Sequence, residues 1–153
     1  MAQRTVNPLV QAFRELMRAK NFHKYRSWYY QEHDGILLCL YLQRSIFDTS
    51  YYLNVGLTDT LLLTENQLPA DLSEWHAASR ADRVIPDIDG EKHRVGAYPD
   101  STSKEVLSRD IDIVMEYLGS AAQAIVEGNP ELFPSEVLWV QNVTKKDLFR
   151  RRK

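Results

Sequence analysis

At 153 residues, 44% of them apolar and only one a cysteine, the chain has the size and composition of one ordinary globular domain that needs no staple. A lone thiol excludes an intrachain disulfide, and no stretch approaches the roughly 18–20 apolar residues of a membrane-spanning helix. The net charge of −2 is spread unevenly, with seven Lys/Arg against four Asp/Glu over residues 1–58, six against sixteen over 59–136, and six against one over 144–153. Such blocks shape partner choice and encounter rate more than fold.

Residues 1–10 hold one arginine and no apolar core, so no secretory signal is expected, and the expected location is cytoplasmic. Asn7-Pro8 starts a helix, with Asn as cap and Pro in the first turn; Leu9, Phe13, Leu16 and Met17 follow at helical spacing and Asn21 is the stop. Three strands follow, over 26–32, 36–45 and 51–58, with His33-Asp34-Gly35 as a hairpin turn. The second is apolar on both alternating faces, the pattern of a central strand covered on both sides. A fourth short strand is expected at 61–64, and Leu72, Trp75 and Ala78 fit a short helix. Thr102 and Glu105 form a capping-box pattern opening a long helix to about Glu127, closed by Gly128. Residues 136–141 read as a strand or a helical turn, and 145–153 as a short helix with a disordered end. The expected architecture is α+β: an antiparallel meander of three to four strands packed with an N-terminal and a long C-terminal helix. It forms one domain over 1–143, with a basic, partly disordered tail over 144–153.

Two segments carry a resemblance. One is Leu16-Met17-Arg18-Ala19-Lys20-Asn21-Phe22-His23-Lys24; the other is Leu40-Tyr41-Leu42-Gln43-Arg44-Ser45 followed by Tyr51-Tyr52-Leu53-Asn54-Val55-Gly56. Over residues 6–58 the chain resembles the bacterial domain-of-unknown-function family numbered 4304. Asn21 stands where that family usually has Gly. The resemblance implies an α+β fold and, by association with small bacterial domains of this kind, an immunity or partner-binding role.

The strand 36–45 ends in three polar side chains, Gln43, Arg44 and Ser45, which with Asn54 form a candidate binding cluster. Strand alternation puts Gln43 on one face and Arg44 on the other; the face of Asn54 depends on hairpin register, since a one-residue slip moves it across. Residues 22–30 interleave aromatics with His23, Lys24 and Arg26, a mix that single-stranded nucleic acid sites use and that strand alternation also explains. Cys39 reads as a buried small hydrophobe, and Asp110 and Asp112 as a solvated acidic surface. The acidic turn 87–91 lacks the ligands of a calcium loop, the four histidines have no metal-ligand spacing, and no nucleophile elbow or phosphate-cradling glycine loop is present.

The chain therefore reads as a non-catalytic protein-binding module, specifically an immunity-type inhibitor of a bacterial toxin, with no cofactor or metal and no membrane partner. Its acidic contact surface is expected at Asp87, Asp89 and Glu91, with Trp75 as aromatic anchor. One alternative is a small-molecule-binding domain or enzyme with a pocket around Gln43, Arg44, Ser45 and Asn54, where Arg44 meets an anion. Another is nucleic-acid association through the basic tail.

Overall fold

The computed structural model describes residues 7–47, 49–63, 67–84 and 97–150. The architecture is α+β. Helices α1 (Pro8–Ala19), α2 (Ala81–Val84), α3 (Lys104–Val126) and α4 (Lys145–Leu148) accompany one antiparallel sheet. Its strands are β1 (His23–Tyr25), β2 (Trp28–His33), β3 (Ile36–Arg44), β4 (Tyr51–Asp59), β5 (Ala77–Arg80), β6 (Ala97–Tyr98) and β7 (Trp139–Val140). They run in the order β1-β2-β3-β4-β5-β7, and β6 shares the outer edge of β4 with β5, pairing with Tyr51 and Tyr52.

Local chemistry explains the main elements. Asn7 Oδ1 accepts from the backbone N–H of Leu9 at 2.9 Å and caps α1, whose apolar stripe Leu9, Phe13, Leu16 and Met17 is buried. The β2–β3 turn has φ of 49° at Asp34 and 83° at Gly35, the two left-handed positions a tight twisted hairpin requires. Gly128 ends α3 at φ 67°.

The sheet has two covered faces. On one, Ile36, Leu38, Leu40, Leu53, Val55 and Leu57 meet α1 and the stripe Leu107, Ile111, Val114, Leu118 and Ile125 of α3. Each such fully buried aliphatic contributes about 1.5–3 kcal/mol. On the other, Trp28, Leu37, Cys39 and Trp75 form a second cluster under the segment 67–76. The Trp28 and Trp75 rings meet edge to face at 5.7 Å, and Trp28 Nε1 donates to the Pro69 carbonyl at 3.0 Å. A Cβ on Gly56 would lie 2.5 Å from the Trp75 ring, so glycine is what lets the indole lie on β4. Cys39 is fully buried there and burial pushes its thiol well above the ordinary range, which makes it a packing residue.

Several expectations are corrected. The sheet exceeds three to four strands because β5, β6 and β7, each two to four residues long, attach along β4. The first expected strand is β2, starting two residues later than expected, and an additional strand, β1, precedes it across the Arg26-Ser27 turn. No strand forms at 61–63; Thr60–Leu62 is a 3-10 turn capped by the Asp59 carboxylate. The short helix expected over Leu72, Trp75 and Ala78 is a 3-10 turn, Leu72–Glu74, followed by β5. Ser103, not Thr102, caps α3. Asp110 is fully buried, and its Oδ2 accepts from the Tyr98 hydroxyl at 2.7 Å; Asp112 is exposed as expected. In the basic tail, α4 buries Leu148, and Phe149 meets Phe133 at 5.2 Å; residues 151–153 lie outside the described residues.

Candidate binding surface and clefts

Register decides the Gln43 cluster. Arg44 pairs with Tyr51, Gln43 with Tyr52 and Tyr41 with Asn54, which puts Asn54 on the Gln43 face. Its amide donates to Gln43 Oε1 at 3.0 Å. Ser45 is buried and shapes the turn: its Oγ accepts from the Phe47 N–H at 3.1 Å and its own N–H donates to the Ser50 carbonyl. Arg44 is exposed on the opposite face from Gln43. The fold thus brings Gln43 and Asn54 together and leaves Arg44 and Ser45 apart from them. Trp75 has no exposed surface, so the anchor role expected for it is corrected: a ring packed between Gly56 and Trp28 is unavailable to a partner. Asp87, Asp89 and Glu91 lie outside the described residues.

The fold collects a different set of side chains. Register sets the cations on both faces of the sheet: Arg80 of β5 pairs with Asn54 and shares the Gln43 face, while Arg44 of β3 and Lys24 of β1, which pairs with Tyr29 opposite Leu40, lie on the helix face. Arg26 stands in the turn of the β1–β2 hairpin and Arg83 on α2. Arg14 of α1 faces the same hairpin across a cleft. All six are exposed, and none is in an ion pair among the described residues. Four of them lie over aromatic rings: Arg80 over Tyr52 and Arg83 over Trp139, each 4.4 Å from the ring centre, and Arg26 over Tyr25 and Lys24 over Tyr29 at 5.7 and 5.8 Å. Trp139 pairs with Ala78 on the outermost strand and is 54% exposed; Ile46 and Phe47, in the β3–β4 connection, are each 87% exposed. Exposed Trp, Phe and Ile among uncompensated arginines is an unusual surface for water to cover.

The cleft beside this surface has a volume of 330 Å3 and is built by three elements. α1 supplies Val10, Phe13 and Arg14; the hairpin supplies Lys24, Arg26, Ser27 and Tyr29; β3 supplies Tyr41 and Leu42. Phe13 and Tyr29 meet edge to face at 5.5 Å, and the Lys24 ammonium lies 5.8 Å from the Tyr29 ring centre. Arg26 has φ 53°, a left-handed conformation that costs a non-glycine residue roughly 1–2 kcal/mol. Among the described residues no carboxylate lines this cleft.

Two other concavities differ in kind. A groove of 730 Å3 along α1 and α3 mixes Lys104 and Arg109 with Glu105, Asp112 and Glu116, and its charges are compensated by Lys104–Glu15 and Lys20–Asp112 pairs at 2.7 Å. A second 330 Å3 cleft holds His76 with Gln67, Glu74 and Asn142. His76 Nδ1 accepts from the Asp59 N–H at 2.9 Å, which fixes the neutral tautomer, and burial holds the ring below its ordinary pKa. The Asn142 amide is spent on the Ser73 and Trp75 carbonyls, and among the described residues of the lining there is no hydroxyl or thiol beside the imidazole. Among the described residues no group of three His, Cys, Asp or Glu is placed to hold a metal, and no helix is long and apolar enough to cross a membrane.

No family model, no curated protein and no solved structure matches the chain.

Proposed function

We propose that the protein is a non-catalytic protein-binding module that meets an acidic partner through the exposed sheet end, and that the partner is a bacterial toxin held inactive by it. The observation that carries the reading is the exposed Trp139 ring beneath the Arg83 guanidinium, repeated on the same sheet face by Arg80 on Tyr52. Trp, Tyr and Arg dominate the energetics of protein interfaces, because rigid rings and planar guanidinium groups lose little entropy on binding and gain much contact area. Unpaired cations beside them speed encounter with a negatively charged surface. The contact surface thereby moves from the acidic turn expected from sequence to a basic and aromatic one.

The test is capture of partners from the native host by the whole chain and by an Arg80→Glu/Arg83→Glu variant, with nuclease present, followed by association kinetics against salt. A stoichiometric protein bound by the native chain should associate at least ten times more slowly with the variant and lose most of its salt dependence. Neutralisation of that partner's toxicity by the native chain alone would support the inhibitor role. Equal capture by both chains, or capture abolished by nuclease, would overturn the reading.

A further inference from the structure

The cleft between α1 and the β1–β2 hairpin has features that a flat protein interface does not need. We infer that it binds a small phosphomonoester carried on a planar apolar body, as in an aryl phosphate or a nucleotide. Three cations, Arg14, Lys24 and Arg26, line one concavity whose lining includes no carboxylate among the described residues. The carboxylate whose field reaches Arg26 is Glu74, which lines a different cleft and accepts a hydrogen bond from the Ala70 N–H. Elsewhere on α1 the fold places carboxylates against cations, as Lys20–Asp112 and Glu15–Lys104 show. Three cations gathered without a counter-charge suit a group of about −1.5 to −2, the charge of a phosphomonoester at neutral pH, better than a single carboxylate. Guanidinium forks match phosphate oxygens two at a time.

The rest of the lining selects what carries the phosphate. Phe13 and the half-buried Tyr29, which meet edge to face at 5.5 Å, give the cleft an aromatic wall. A volume of 330 Å3 is at the small end of ligand pockets, enough for one ring and its phosphate. The backbone at Arg26 adds an independent sign. A two-residue hairpin turn ordinarily takes Gly or Asn at a positive φ, and here a long cation is held at φ 53° with its side chain in the lining. Strain retained in that manner is typical of residues positioned for a ligand.

The probe is phenyl phosphate, titrated calorimetrically into the full chain, with inorganic phosphate, phenol and 5′-AMP as separate arms. Phenyl phosphate should saturate one site and bind at least tenfold more tightly than inorganic phosphate or phenol. Arg14→Gln and Arg26→Gln should each weaken it about tenfold or more, Tyr29→Leu should erase the advantage over inorganic phosphate, and Arg83→Gln should leave it unchanged. Affinity should fall as pH drops through about 6, where the ester takes up its second proton. Comparison of 5′-AMP with a 5′-phosphorylated oligonucleotide separates the two sources of the same chemistry: a free nucleotide binds alone, a strand end binds as well or better. A folded native chain that binds neither phenyl phosphate nor 5′-AMP overturns the inference, and so does binding that survives all three cation substitutions together. Because Trp139 is not in this cleft, failure here leaves the protein-binding reading standing, and the reverse holds equally.

Discussion

The two faces of the sheet are both covered, but by different means. The helix face is closed by the aliphatic stripes of α1 and α3, with Leu and Ile interleaved in one large cluster. The opposite face is closed by four buried residues under the loop 67–76, and the fit depends on one glycine and two indoles. A large aliphatic core tolerates local change by spreading it over many neighbours, whereas a small aromatic core does not. Beyond this second cluster, toward the end where β3 stops, cover gives way to exposed arginines and rings. The thinly covered face thus carries the Arg80–Tyr52 and Arg83–Trp139 pairs, while Arg44 and Lys24 lie on the helix face.

That contrast can be tested in order of effect. Trp75→Ala should destabilise the chain by about 3–5 kcal/mol, as much as truncating a core aliphatic such as Leu118, even though Trp75 belongs to the smaller cluster. Chemical denaturation of both variants decides it; a loss under about 1 kcal/mol for Trp75 would mean the loop is a dispensable flap. Gly56→Ala should cost about 1–3 kcal/mol because its Cβ would meet both the Ala77 backbone carbonyl of β5 and the Trp75 ring, and a Gly56→Ala/Trp75→Leu double variant should fall short of full recovery since the backbone clash remains.

Arg26→Gly sharpens the comparison in the other direction. Relief of the left-handed backbone should raise stability by roughly 1 kcal/mol while phenyl phosphate binding is lost. Gain on one measurement and loss on the other would identify Arg26 as a ligand residue kept against its local preference.

His76 predicts a modest pH dependence at the edge of the second cluster. Its folded pKa is lowered by burial below the ordinary 6.5, so above that pH the site is fully stabilising in its neutral form. As pH falls below 6.5 the unfolded chain takes up a proton that the folded ring resists, and stability declines until the folded value is reached. Melting temperature measured from pH 7.5 to 5 should therefore fall less steeply for His76→Gln than for the native chain.

Much of this was legible in the sequence where the signal is local. Asn7-Pro8, Asp34-Gly35 and Gly128 each mark a backbone requirement, and the structure meets each at the expected position. The doubly apolar run of β3 announced a strand covered on both sides. β5, β6 and β7 were not legible, because two to four residues are too short to show alternation. The Arg26-Ser27 turn carries no Gly or Asn to reveal it. Two signals were present and unused. Gly56 inside an apolar strand marks close approach of another group, here Trp75. Asp110 follows Leu107 by three and precedes Val114 by four, so it sits on the buried stripe of α3. The candidate surface was hidden for a deeper reason: Tyr52, Arg80 and Trp139 are dispersed along the chain, and only the register of β4, β5 and β7 puts them on one face.

The most direct measurement of the central claim uses Trp139→Ala, read for both stability and partner binding. Because the ring is 54% exposed, its loss should change unfolding free energy by no more than about 0.5 kcal/mol. The same substitution should weaken binding to the partner captured by the native chain by at least tenfold, as loss of an interface anchor does. A variant that is as stable as the native chain and binds that partner equally well would contradict the account.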